Sequence, residues 1–214
     1  MQLSMRGLVP AHLVQQLAGR PSQVWNTEVS LPSGACVFVQ APSGRGKTTL
    51  IHMLYGLRTG YTGAISFGDL KMDQLSDDRL SALRAKELSV IFQDMRLFPS
   101  LTALENIEVK RALTNTVTAE EVQAWLAQLG IGHKAHATAA TLSYGEQQRV
   151  AIIRALVQPF AWLLMDEPFS HLDVANRQLA IDLIKSVAQR RNAGLFLTDL
   201  DANNYFPYTH TFLM

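Results

Sequence analysis

Hydrophobic and polar residues follow two different patterns along this chain of 214 residues. Short runs that are apolar at successive positions predict strands buried on both faces, since a strand with one wet face would alternate. Such runs lie at 35–39, 88–92, 162–165 and 194–198, and another short strand is predicted at 209–213. Charged or amphipathic runs of helical period predict helices at 48–57, 76–87, 118–129, 143–157 and 174–191. The pattern therefore predicts an α/β fold.

The same pattern predicts how the chain is divided. Proline and glycine interrupt residues 1–34, which indicates short strands and turns. From Asp94 to about Thr141 the pattern is helical, which indicates a helical subdomain inserted into an α/β core. We therefore predict a single domain, residues 1–214, with its core at 1–93 and 155–214 and the helical subdomain at about 94–154.

Composition excludes some classes of partner. Hydrophobic residues make up 48% of the chain, but no apolar run approaches the ~20 residues of a membrane-spanning helix. Any membrane association must then come through a partner. A net charge of +1 gives no field that would attract nucleic acid, so no nucleic-acid partner is expected. The single cysteine, Cys36, and an N-terminus without the features of a secretion signal favour the cytoplasm.

Residues 41–49, Ala-Pro-Ser-Gly-Arg-Gly-Lys-Thr-Thr, join the strand at 35–39 to the helix at 48–57. They match the Walker A pattern G-x-x-x-x-G-K-[ST] except at its first position, where Ala41 replaces glycine. A glycine-rich loop before a helix can wrap backbone N–H groups around phosphates. Lys47 would reach the β- and γ-phosphates, and the Thr48 hydroxyl would coordinate Mg²⁺. The residues predicted to bind the nucleotide here are Ser43, Gly44, Arg45, Gly46, Lys47, Thr48 and Thr49.

Two carboxylates follow the predicted strand at 162–165, at the edge of the sheet where ligands of open α/β folds bind. Asp166 would contribute to the nucleotide site by holding Mg²⁺, through water, because Mg²⁺ keeps most of its hydration shell. Glu167 is the candidate general base that polarises the attacking water. The competing interpretation, that this pair only caps the next helix, is weakened by the upstream phosphate loop.

The stretch from Leu142 to Arg149 lies before this pair of carboxylates. Ser143 and Glu146 form a capping box at the start of an amphipathic helix, which is also what an ordinary buried helix would show. In its order with the other motifs the stretch resembles the L-S-G-G-Q signature of the ATP-binding-cassette (ABC) ATPases, from which it departs at Tyr144 and Glu146. The resemblance implies a dimer with ATP between the protomers. Ser143 and Gly145 would contact the γ-phosphate bound by the other protomer.

The resemblance extends over nearly the whole chain and assigns further residues. Gln93 resembles the Q-loop glutamine, which contacts Mg²⁺ or the attacking water. Residues 170–173 resemble the D-loop, with His171 where a small residue is usual. Asp199 stands where the family has a histidine that contacts the γ-phosphate, and we therefore expect slow hydrolysis. Leu17 and Trp25 are the candidates for contact with adenine, and His210 is a weak substitute for the missing histidine.

Residues 71–76 and 90–107 look like those of the small bacterial cassettes for lipoprotein release, macrolide export and cell division. The resemblance implies a P-loop NTPase (RecA-like) core, an antiparallel β subdomain and the inserted helical subdomain. It also implies ATP and Mg²⁺, a second cassette as homodimer or heterodimer partner, and an integral membrane permease-type subunit at the inner face of the membrane. The alternatives are an ATP-dependent dimerising switch with negligible turnover and a soluble ABC-type ATPase.

Overall fold

The computed structural model describes residues 1–17 and 19–214. The strands are β1 (Leu3–Pro10), β2 (Glu28–Leu31), β3 (Cys36–Gln40), β4 (Tyr61–Phe67), β5 (Leu70–Lys71), β6 (Leu88–Ile91), β7 (Trp162–Asp166), β8 (Gly194–Asp199) and β9 (His210–Leu213). The helices are α1 (Val14–Leu17), α2 (Lys47–Leu54), α3 (Asp77–Lys86), α4 (Ala103–Thr114), α5 (Ala119–Gln128), α6 (Tyr144–Leu156) and α7 (Val174–Arg191). Within the described residues, no helix combines the length and apolar character needed to cross a membrane.

The strands form two sheets. A five-stranded sheet has the order β6-β7-β8-β3-β9, and each of its neighbouring pairs is parallel. A four-stranded antiparallel sheet has the order β2-β1-β4-β5. The predicted α/β fold with an antiparallel β portion is therefore confirmed.

The parallel sheet is buried on both faces, as its continuously apolar strands predict. In β7, Trp162 and Leu164 face a core shared with α2 and the antiparallel sheet, whereas Leu163 and Met165 face a core shared with α4, α5, α6 and α7. Because successive side chains of a strand point to opposite faces, one apolar run contributes to two cores. The sheet is thus held from both sides, and its carboxyl edge is a rigid base for a site.

The helical region begins later than the sequence pattern indicates. Residues between β6 and α4 form a loop up to Thr102, so the helices start at Ala103 and not at Asp94. The fully buried Asn106 explains this loop, since its side chain accepts a hydrogen bond from Phe98 N (2.8 Å) and donates to Phe98 O (3.1 Å) and Leu101 O (3.3 Å). These bonds satisfy backbone groups that a helix would have used.

The strand β4 was not anticipated from the sequence. Its glycine, Gly63, weakens the strand pattern, because glycine in a strand interior lowers strand propensity. The fold explains the residue: a Cβ at position 63 would lie 2.3 Å from Arg6 O, and Gly63 has φ +88°. The antiparallel pairing of β1 with β4 brings the two backbones this close together, across a register shift between Arg6 and Val9.

The order of the parallel strands brings the predicted site residues to one edge. At the carboxyl ends of β7 and β8, Asp166 lies in register with Thr198. At the ends of β8 and β3, Asp199 lies in register with Gln40, which directly precedes the glycine-rich loop. The loop after β3, the carboxylates after β7 and the end of β8 are therefore neighbours in space.

Candidate functional site

A cavity of about 320 Å³ opens at this edge of the sheet. Its lining residues are Leu13, Gln16, Ser43, Gly44, Gly46, Lys47, Thr48, Thr49, Gln93 and Glu167. Residues from four segments of the sequence therefore meet: the segment of Leu13 and Gln16, most of the glycine-rich loop with the start of α2, the glutamine after β6 and the glutamate after β7. Arg45, Asp166, Ser143 and Gly145 do not line this cavity.

A larger cavity, of about 710 Å³, lies at the opposite edge of the parallel sheet, beside Cys36 and Leu195. It contains none of the predicted site residues. Burial raises the pKa of the Cys36 thiol to about 11, which favours the protonated thiol at neutral pH.

The glycine-rich loop needs its glycines for conformation and for space. Gly44 and Gly46 have φ of +77° and +95°, values that other residues rarely adopt. A Cβ at position 46 would lie 2.8 Å from Leu13 Cδ1 and 3.1 Å from Trp25 Cζ2. Trp25 is buried beneath the loop, and its indole Nε1 donates a hydrogen bond to Arg45 O (3.1 Å). This tryptophan therefore supports the loop and is not among the residues that line the cavity.

Ala41, where the Walker A pattern has glycine, does not distort the loop. It is not among the positive-φ residues in the part of the chain that the structure describes, and its methyl group is fully buried. Its backbone N donates to Asp199 O (3.1 Å), and its carbonyl accepts from Lys47 Nζ (2.8 Å). Ordinary backbone geometry is enough at this position, so alanine is tolerated.

Lys47 and Glu167 form a buried ion pair inside the cavity. Lys47 Nζ lies 3.2 Å from Glu167 Oε1, and the two side chains are only 5% and 11% exposed. Lys47 also donates to the carbonyl of Pro42 (3.3 Å), and Gln93 Nε2 donates to Glu167 Oε2 (3.1 Å). Glu167 has φ +46°, an uncommon conformation for a residue that is not glycine. The arrangement directs its carboxylate at the lysine and the glutamine together.

Asp166 is held differently from Glu167. Its side chain is buried, and its Oδ1 accepts a hydrogen bond from the Thr198 hydroxyl (2.9 Å). Thr48 and Gln93 line the cavity itself. Hydroxyl, amide and carboxylate oxygens are the ligands that Mg²⁺ prefers, so the chemistry of these three predicted ligands fits the ion. In the described ranges 1–17 and 19–214, no three histidine, cysteine, aspartate or glutamate side chains cluster as a metal site.

Asp199 lies next to this network at the end of β8. Burial raises the pKa of its carboxyl group above the ordinary value of 3.8, and the negative charge of Glu167 raises it further. The hydrogen bond that Leu200 N donates to Asp199 Oδ1 (2.8 Å) and the charge of Lys47 act in the opposite direction. His210 pairs with Val37, near the amino end of β3, and does not line the cavity.

Ser143 and Gly145 lie elsewhere, at the N-terminus of α6. The predicted capping box is present: Glu146 N donates to Ser143 Oγ (3.3 Å), and Ser143 N donates to Glu146 Oε2 (2.8 Å). The Tyr144 side chain is 68% exposed at the same helix end. A ligand at this helix end would therefore be separate from one that fills the cavity.

Some residues that shape the site were not predicted from the sequence. Leu13 and Gln16 line the cavity, whereas the sequence had indicated the adjacent Leu17 for contact with adenine. Of the described residues that line the cavity, none is aromatic, and Leu17 is not among them. Thr198 was not predicted as the hydrogen-bond partner of Asp166. The feature of the sequence that could have indicated it is a polar residue at the end of an apolar strand, directly before an acidic residue.

Comparison with known proteins finds a family match over more than half of the chain. The family model described as "ABC transporter" matches residues 24–170. The chain is 36% identical over 201 residues to the phosphonates import ATP-binding protein PhnC of Agrobacterium fabrum, covering 87% of this chain and 70% of that protein. It is 33% identical over 177 residues to the lipoprotein-releasing system ATP-binding protein LolD of Legionella pneumophila, covering 81% of this chain and 78% of that protein.

Among solved structures, the chain is similar to a dimeric, post-hydrolysis state of the ATP-binding cassette MJ0796 bound to ADP and Pi. The TM-score is 0.78 at 25% identity, and the match covers 93% of this chain and 88% of that one. Across similar curated relatives, the chain spans from 57% to 88% of their length.

Proposed function

The chain belongs to the ABC transporter family, and we propose that it is the ATP-binding and ATP-hydrolysing subunit of a transporter-type membrane complex. Cassettes of this family are ATPases. The observation that carries the proposal is the meeting of Lys47, Gln93 and Glu167 in one cavity at the glycine-rich loop. In such a cavity the lysine would bind the phosphates and the buried carboxylate would activate water for hydrolysis of a phosphoanhydride.

The loop from Ser43 to Thr49 supplies the phosphate-binding groups. Its left-handed glycines turn the backbone, and α2 begins directly after Gly46, so backbone N–H groups and a helix N-terminus face the cavity. Lys47 provides a buried positive charge for the β- and γ-phosphates. Leu13 offers adenine an apolar surface without aromatic stacking.

Three residues would hold the metal ion. Thr48 and Gln93 face the cavity, and Asp166 lies behind it with its carboxylate fixed by Thr198. Bound Mg²⁺ would neutralise part of the charge that develops on the transferring phosphoryl group. Because Asp166 is buried and already hydrogen-bonded, its contact with the ion would run through water.

Glu167 is the general base of the proposed reaction. In the structure its two oxygens accept from Lys47 and Gln93. Phosphate oxygens compete for the same lysine, so phosphate binding would release one carboxylate oxygen to polarise water. Gln93 would then orient that water or the metal ion. Losing the base commonly lowers such a rate by about 10²–10⁴-fold.

The second part of the proposed site comes from another cassette. Ser143 and Gly145 lie at the N-terminus of α6 and outside the cavity, where they are available to the γ-phosphate bound by a partner. The structural relative MJ0796 is a dimer bound to ADP and Pi. The partner is a second copy of this chain or a different cassette.

The membrane partner is proposed to be an integral, permease-type subunit at the inner face of the membrane. The named relatives belong to a phosphonate import system and a lipoprotein-releasing system. In this chain the loop before α4 presents Phe98 with half of its surface exposed. The half-buried Leu97 and Leu101 extend this apolar surface, and contiguous apolar patches commonly mark partner sites. We place the permease contact at residues 95–107.

Hydrolysis is proposed to be slow because Asp199 replaces the switch histidine. An ionised carboxylate cannot donate a hydrogen bond and repels a polyphosphate. The absence of one positioned donor costs about 10²–10³-fold in comparable sites. Asp199 also favours a second candidate function, an ATP-dependent dimerising switch with negligible turnover.

Steady-state ATP hydrolysis by the purified chain tests the proposal. Glu167→Gln should abolish turnover and, in ATP, accumulate as a dimer detected by light scattering. Asp182→Asn, an exposed carboxylate on α7, is the matched control and should leave both unchanged. ATP-dependent dimers without turnover in either form would favour the switch. A chain that shows no turnover and forms no dimers in ATP would contradict both the ATPase activity and the homodimer.

A further inference from the structure

Two residues that depart from the ABC pattern lie against each other. The rings of Tyr144 and His171 have centroids 5.3 Å apart and planes inclined by 32°. Tyr144 is the first residue of α6, and His171 lies in the turn before α7. They are far apart in sequence, so the contact exists only because α6 and α7 begin side by side.

The backbone is equally close at this point. A Cβ at Gly145 would lie 2.9 Å from His171 O, so glycine allows the two segments to approach. His171 N donates a hydrogen bond to Oε1 of the fully buried Gln148 (2.9 Å). The ring contact, the close backbone approach and the hydrogen bond all join the first residues of α6 to His171.

The turn also leads back to the hydrolytic site. Ser170 N donates to Glu167 O (3.4 Å), so the segment between Glu167 and His171 is itself folded back. Leu172, next to His171, is buried in the core shared by α4, α5, α6 and α7. The short segment therefore has the general base at one end and the ring contact at the other.

Core packing does not account for the ring pair. Tyr144 is 68% exposed and His171 is also exposed, so the pair buries little apolar surface. Gln148 and Leu172 already anchor the two segments in the core. The rings add one more contact at the exposed helix end that carries Ser143 and Gly145.

We propose that Tyr144 and His171 are a positioning pair that fixes Ser143 and Gly145 for the γ-phosphate bound by a second cassette. The inference rests on the proposed function, since it assumes that ATP is held between two cassettes. A helix end already in its bound position loses less conformational freedom on association. An aromatic contact of this kind corresponds to about 2- to 13-fold in an equilibrium constant, and two symmetric pairs to about 5- to 160-fold.

The test uses the full chain in the Glu167→Gln background and measures two equilibria. A fluorescent ATP analogue at low protein concentration reports nucleotide binding to the monomer. Light scattering across a protein dilution series in ATP reports the dimer. The variants are Tyr144→Ala, His171→Ala and their combination, with Tyr144→Phe and His171→Phe to keep a ring at each position. Leu113→Ala, an exposed apolar residue at the end of α4, is the control.

We expect Tyr144→Ala and His171→Ala each to weaken the dimer about 10-fold while the monomer binds nucleotide as before. The combination should be no weaker than either single variant, because one contact is lost in all three. Both phenylalanine variants and the control should behave like the parent. The unfolding temperature of each variant is measured as well, since a merely structural role would instead lower it and nucleotide binding together.

Two results would overturn the inference in distinguishable ways. Alanine variants that dimerise like the parent, or whose effects add, would leave the dimer site intact and refute the positioning role alone. A parent that shows no ATP-dependent dimer would refute self-association, and with it the premise of the pair.

Discussion

Lys47 Nζ lies 3.2 Å from Glu167 Oε1, and both side chains are almost entirely excluded from solvent. The residue proposed to bind phosphate and the residue proposed to activate water therefore neutralise each other in the structure. Because Lys47 also donates to two loop carbonyls, its position depends on the loop as much as on the carboxylate. In the proposed reaction, nucleotide binding and the release of the base would thus be linked through one ammonium group.

The first prediction concerns loss of that ammonium group. Lys47→Met keeps most of the side-chain volume but leaves Glu167 buried without its cation, which should lower the free energy of unfolding by about 3 kcal/mol. ATP binding should fall below detection, measured by calorimetric titration. Lys71→Met, an exposed lysine on β5, is the control. A Lys47→Met protein that binds ATP normally would contradict the role of the lysine.

The second prediction compares alanine substitutions at two glycines of the glycine-rich loop. A methyl group at Gly46 would contact Leu13 and Trp25, whereas at Gly44 nothing lies within 4 Å, although both residues have positive φ. Gly46→Ala should therefore weaken ATP binding more than Gly44→Ala, since it must also displace the support under the loop. Titration of both variants with ATP measures the difference. Equal losses would show that backbone conformation alone decides the effect.

The third prediction tests the proposal that Asp199, at the end of β8, replaces a switch histidine. Asp199→His replaces a half-buried carboxyl group by a hydrogen-bond donor near Glu167, and should raise ATP turnover by about 10-fold or more. The neighbouring exposed Asp201→His is the control. Turnover that stays the same or falls in a folded Asp199→His variant would refute the idea that Asp199 weakens the site.

The fourth prediction follows from the raised pKa of Asp199. The folded chain holds the proton of this carboxyl group more tightly than the unfolded chain, mainly because of burial. Its contribution to stability is full below the unfolded pKa and is lost as pH rises through the raised folded value. Asp199→Asn, which has no charge to lose, should be more stable than the parent at about pH 7, with the gap closing toward about pH 3.5.

Urea denaturation over this pH range checks the fourth prediction, with Asp201→Asn as the exposed control. A stability difference between Asp199→Asn and the parent that does not change with pH would show that ionisation of Asp199 is not the cause.

The sequence determined those features that local chemistry can encode. These features are the glycines that turn the glycine-rich loop, the capping box of Ser143 and Glu146, and the strands that are apolar at every position. Each of these local structures requires particular residue types at neighbouring positions. Because the same requirement recurs wherever the same local structure forms, a short motif identifies it. The α/β fold and the family follow from the order of these motifs.

Other features depended on the tertiary structure. Four contacts join segments that are distant or unmarked in the sequence. They are the support of the glycine-rich loop by Trp25, the loop held by Asn106, the hydrogen bond of Thr198 to Asp166 and the contact of Tyr144 with His171. The partial burial of Asp199 and the ion pair of Lys47 with Glu167 arise from the order of strands in the sheet. Spacing along the chain does not specify such contacts, because they depend on how the elements pack.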